Sequence, residues 1–76
     1  MLRKVFGRNL KYQRKKRSLT QEKAAEVCGM SWKYWGKLER GDQAATIDVI
    51  EKISKGFQIP ASELLMEEER DSGKGA

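Results

Sequence analysis

Apolar positions recur at helical spacing through most of the chain. Within residues 19–41, LTQEKAAEVCGMSWKYWGKLERG, Thr20 supplies an N-cap oxygen before Gln21, and Gly29 is the residue type that tolerates the left-handed turn ending a helix. The first helix of this stretch is therefore about two turns long. Ser31 is a second cap residue, Trp35 and Leu38 follow three apart, and Gly41 closes the run after basic Arg40. Ahead of it, residues 4–17 predict a helix, with Phe6, Leu10, Gln13 and Arg14 on one face and Gly7 as a weak point near its start. Behind it, residues 42–46 form a loop, and Thr46 caps a fourth helix in which Ile47, Ile50, Ile53 and Phe57 recur at core spacing. Gly56 and Gln58 loosen the end of that helix, and Pro60 restarts the chain into a short fifth one, ASELLM.

The central pair is a helix-turn-helix: a short helix, a Gly-containing turn and a second short helix. Ala25 lets the two cross closely, while Ala24, Cys28, Met30, Trp35 and Leu38 offer one apolar underside. Lys33, Gly36, Lys37 and Arg40 fall on the other side, which is positive and free of acids.

Seventy-six residues make one small domain, and 38% hydrophobic against 36% charged residues leaves enough apolar side chains for one helical core. A single Cys and no His exclude an internal disulfide and a Cys/His metal cluster, so Cys28 is expected in the core. Residues 1–17 carry eight Lys or Arg and no acid, whereas residues 67–76 have a net charge of −2, which leaves +7 of the formal +5 on residues 1–66. A positive body of this kind suits an anionic polymer. The basic residues of the first helix read either as a solvated face or as reaching phosphates. No apolar run approaches the roughly 20 residues of a membrane span, so no membrane association and a cytoplasmic location are expected. No acid/base pair, nucleophile with its base or phosphate-cradling loop is visible, which argues against an enzyme; no cofactor, metal or small-molecule effector is expected.

The ordered set Leu19-Thr20-Gln21, Ala25, Gly29, Ser31 and Leu38-Glu39-Arg40-Gly41 resembles the Cro and phage-repressor (XRE-type) helix-turn-helix DNA-binding proteins. The resemblance runs from about Phe6 to Leu65, and TIDVIEKISKGFQIPASELL is similar to the family's last two helices. It departs at Ala24, where a larger aliphatic residue is usual, and at Trp35, where Ile, Val or Leu is usual; the indole is expected to fill the volume Ala24 leaves. The resemblance implies an all-α, compact five-helix, lambda-repressor-like DNA-binding domain over residues 1–66, followed by a disordered acidic tail over residues 67–76. It also implies a transcriptional regulator of double-stranded DNA, a repressor binding a palindromic operator as a homodimer. In this motif class the N-terminal part of the second helix meets the bases, which assigns Trp32, Lys33, Gly36 and Lys37 to base edges. Gln21, Ser31, Tyr34, Arg40, Lys15 and Lys16 are assigned to phosphates. The family pairs an Arg of the first helix with a Glu at the end of the recognition helix, here Arg14 and Glu39. It commonly dimerises through its C-terminal region, here Phe57, Ile59, Leu65 and Met66.

A competing reading is a protein-interaction module, such as an antitoxin-like partner, with Trp32, Tyr34 and Trp35 as an anchor and DNA contact secondary. Single-stranded nucleic acid is a third, because aromatics beside Lys can stack bases.

Overall fold

The computed structural model describes residues 1–67, and these form five helices: α1 (Leu2–Lys16), α2 (Gln21–Val27), α3 (Trp32–Arg40), α4 (Ile47–Phe57) and α5 (Ser62–Leu65). Thr20, Ser31 and Thr46 open α2, α3 and α4, each side-chain oxygen accepting the main-chain N–H three residues on at 3.0, 3.2 and 3.1 Å. Each such cap is worth about 1 kcal/mol. The first four helices also end alike. Ser18, Gly29, Gly41 and Gln58 take up left-handed backbone, and the next N–H returns to the carbonyl five residues earlier. Two of these four stops therefore use a residue with a Cβ where glycine would be unstrained. Of the acidic segment expected from residue 67, all but Glu67 lies outside the described residues.

The core gathers Phe6 and Leu10 from α1, Ala24, Ala25 and Cys28 around α2, Trp35 and Leu38 from α3, Ile53 and Phe57 from α4, and Leu64 from α5. α3 packs against both α1 and α2, and α5 packs on α1. Burial pushes the Cys28 thiol up to about 11, against a smaller lowering by the Arg17 charge, so it stays a protonated core side chain. The indole of Trp35 is fully buried, as is Ala24, and its ring meets Phe57 edge-on with centroids 5.9 Å apart.

Gly7 has a different role from the one its helix propensity suggests. A Cβ there would lie 2.5 Å from the Glu39 carbonyl oxygen and 2.6 Å from that of Leu38, so the missing side chain is what lets α1 cross the end of α3. Nor does it delay the helix, which begins at Leu2.

One expected core position turns outward. Ile47 is 83% exposed, because it lies six residues before Ile53 and so about 120° round the helix from it; Val49 and Ile50 pack against the core instead. Phe57, placed by the sequence both at core spacing and at a dimer contact, is only 5% exposed and takes the core role. Asn9 and Gln13 are buried polar residues of α1, and each is hydrogen-bonded, Gln13 Oε1 accepting from Arg17 Nη1 at 2.7 Å. Asn9 Nδ2 donates to the carbonyls of Leu64 and Met66 at 3.0 and 2.9 Å, tying α1 to the end of α5.

Candidate nucleic-acid interface

The geometry of the site starts under it, at Glu39. Its carboxylate accepts from Arg14 Nε at 2.6 Å, Arg14 Nη2 at 3.1 Å, Gln21 Nε2 at 3.0 Å and Trp35 Nε1 at 2.7 Å. The two charged side chains are 12% and 4% exposed, and Arg14 Nη1 also donates to the Leu19 carbonyl. One carboxylate thus holds α1, the start of α2 and the body of α3 in register. Burial alone would raise the pKa of Glu39; the hydrogen bonds from Arg14, Gln21 and Trp35 and the Arg14 charge outweigh it and hold the group below its usual 4.5.

This arrangement alters two expectations. The side-chain amide of Gln21, assigned to phosphate, is turned to Glu39. Trp35, expected as a volume filler, is also a hydrogen-bond donor, which answers how an indole N–H is satisfied in a core.

Above this base, Gln21, Trp32, Lys33, Gly36, Lys37 and Arg40 line one depression of about 240 Å³ between the start of α2 and the outer face of α3. Trp32 is 52% exposed, and Lys33 and Lys37 are exposed one turn apart. Ser31 spends its oxygen on the Tyr34 N–H and keeps its own O–H to donate. Tyr34 is half-buried and packs against the core. Gly36, assigned to base edges, is covered: the Arg40 side chain lies over it, 3.1 Å from where its Cβ would be. Arg40 in turn donates from Nε to Asp42 Oδ2 at 3.0 Å. The outer face is therefore not acid-free at its C-terminal end. The signal was present as Arg40-Gly41-Asp42, since a left-handed Gly41 folds the chain back and brings the flanking side chains together.

Several basic residues of α1 and its C-cap Arg17 are engaged by other parts of the chain. Lys4 Nζ donates to the Arg40 carbonyl at 3.2 Å, at the negative end of α3. Arg17 donates to the Gln13 carbonyl and Oε1 and to the Phe57 carbonyl, and its guanidinium stacks 4.4 Å from the Phe57 ring centroid. Arg14 and Arg17 are thus half-buried and used by the fold, while Lys4 makes its hydrogen bond from an exposed position. Lys15 and Lys16 are exposed, with Lys16 Nζ 5.4 Å from the Tyr12 ring centroid.

The family model described as helix-turn-helix (HTH_3) matches residues 10–64. The chain belongs to the helix-turn-helix family. A curated relative, control protein C.BamHI of Bacillus amyloliquefaciens, is 35% identical over 65 residues, which is 84% of this chain and 80% of the relative. Among solved structures, the hypothetical transcription factor NHTF from Neisseria superposes with a TM-score of 0.82 at 29% identity, over 87% of this chain and 76% of that one. The restriction-modification controller protein C.AhdI from Aeromonas hydrophila superposes with a TM-score of 0.78 at 31% identity, over 82% and 90%.

This helix-turn-helix protein is a DNA-binding transcriptional regulator acting on double-stranded DNA, and not an enzyme. No helix among the described residues is long and apolar enough to cross a membrane.

Proposed function

We propose that the regulator is a cytoplasmic homodimeric repressor that lays the outer face of α3 in the major groove of a palindromic operator, without a small-molecule effector. The observation that carries this reading is the shared depression, where Gln21, Trp32, Lys33, Lys37 and Arg40 meet over a rigidly held helix. The major groove admits one helix, and its guanine O6 and N7 accept from lysine while a thymine methyl suits an apolar edge. Lys33 and Lys37 then read guanine and Trp32 reads thymine. Ser31, Tyr34, Lys15, Lys16 and the remaining amide proton of Gln21 hold phosphates. The homodimer is supported by α5, which buries Leu64 and leaves Leu65 and Met66 38% and 37% exposed beside half-buried Ile59. The Aeromonas hydrophila relative is named a restriction-modification controller, so restriction-modification genes are the first candidates for regulation here.

Selection of duplexes from a random pool tests this, with a palindromic winner expected. No enrichment would sink sequence-specific reading; enrichment of a lone half-site would sink the homodimer. On the winning site Lys37→Ala should cost about 1–3 kcal/mol and relax one base position, whereas Lys15→Ala should weaken all duplexes alike and flatten the salt dependence by about one unit.

A further inference from the structure

We propose that Arg40 reads a guanine, set in place by Asp42 and Gly36, rather than anchoring a phosphate; this rests on α3 being the helix that meets the bases. Arg40 Nε donates to Asp42 Oδ2 at 3.0 Å. Its Nη1 and Cζ lie 3.1 and 3.9 Å from the Cβ position of Gly36, so the guanidinium runs back along α3 by one turn instead of extending from the helix end. There it shares the depression with Gln21, Trp32, Lys33 and Lys37. The side chains of Arg40 and Asp42 are both 59% exposed, so the guanidinium is open to a ligand.

The chemistry of the pair decides between a phosphate and a base. A carboxylate at 3.0 Å offsets the guanidinium charge, and charge is what a phosphate contact depends on. A base edge is neutral and asks instead for donors in a fixed orientation. With Nε engaged by Asp42, the two Nη groups remain as a fork of parallel donors, the geometry that guanine O6 and N7 accept together. Asp42 and the bare backbone at Gly36 hold that fork in advance, so less side-chain freedom is lost on binding. A side chain at position 36 would occupy the guanidinium's seat.

The test uses the full chain and the preferred duplex from the random-pool selection. Each guanine of one half-site is replaced in turn by 7-deazaguanine, which pairs normally but lacks the N7 acceptor. The guanine read by Arg40 should, when so replaced, weaken the wild-type protein by about ten-fold, as loss of one hydrogen bond from a charged donor does, and leave Arg40→Ala unaffected. Arg40→Lys, which keeps the charge without the fork, should lose the same position. Asp42→Asn should bind a scrambled duplex more tightly while its preference for the selected duplex falls by about ten-fold, and Gly36→Ala should lose preference to a similar degree. The inference is overturned if Arg40→Ala weakens preferred and scrambled duplexes by one factor and lowers the salt slope by about one, as a lost phosphate contact does. It is also overturned if no guanine position depends on Arg40. A pool with no preferred duplex overturns both this assignment and the reading beneath it, whereas a preferred duplex indifferent to Arg40 overturns this assignment alone.

Discussion

At the level of single residues, Glu39 ties stability to pH in a defined direction. Its folded pKa lies below the usual 4.5, so the stability it contributes is complete above that value and is lost as the pH falls through the folded pKa. Glu39→Gln should therefore be less stable at neutral pH, and its stability should decline less steeply than the wild type's below about pH 4.5. Denaturant titrations across pH check this, and parallel acid limbs would refute it. Removing Arg14 alone should cost about 3 kcal/mol by stranding a buried carboxylate, with the double mutant costing less than the sum. Gln58 carries a separate prediction. It holds a φ of 57° at the exposed stop of α4, and a left-handed residue with a Cβ costs roughly 1–2 kcal/mol against a smaller entropic cost for glycine. Gln58→Gly should raise stability by about 0.5–1 kcal/mol, read as a melting temperature several degrees higher; a lower melting temperature would show that the turn is not strained.

At the level of elements, helix boundaries were legible because they depend on neighbours within a few residues. The Thr20, Ser31 and Thr46 caps and the Gly29 and Gly41 stops lie where their residue types predict. The crossing of α1 over the end of α3 was not legible, since nothing local distinguishes a glycine that weakens a helix from one that admits another helix. Gly7 separates the two cases. By propensity alone Gly7→Ala should stabilise α1 by about 1 kcal/mol. Because the new methyl would sit 2.5 Å from a backbone oxygen of α3, the substitution should instead destabilise by about 1–3 kcal/mol. Equilibrium unfolding in urea decides the sign. Ile47 is a different case: its three-residue spacing from Ile50 suggested core, but it lies six residues and so about 120° round the helix from Ile53, which turns it to solvent.

For the whole molecule, the exposed pair Leu65 and Met66 is held outward because Leu64 points into the core and Asn9 ties down the carbonyls of Leu64 and Met66. Leu65→Lys should leave the monomer folded and abolish dimerisation, measured by sedimentation with and without the selected duplex. A dimer that survives would move the two-fold contact elsewhere. The helices, their caps, the helix-turn-helix outline and the basic excess of residues 1–66 could be read from the order of residues, since each follows from contacts between near neighbours or from simple charge. How most of those charges are used depends on packing. The Arg14–Glu39 pair was expected and is present, but nothing in the order of residues signals that Lys4 reaches a carbonyl 36 residues away, Arg17 one 40 residues away, or Gln21 a carboxylate 18 residues away, while Lys15, Lys16, Lys33 and Lys37 stay exposed. Like charges in one run of sequence are indistinguishable until packing brings a carbonyl or carboxylate to some of them, and that depends on where distant helices cross.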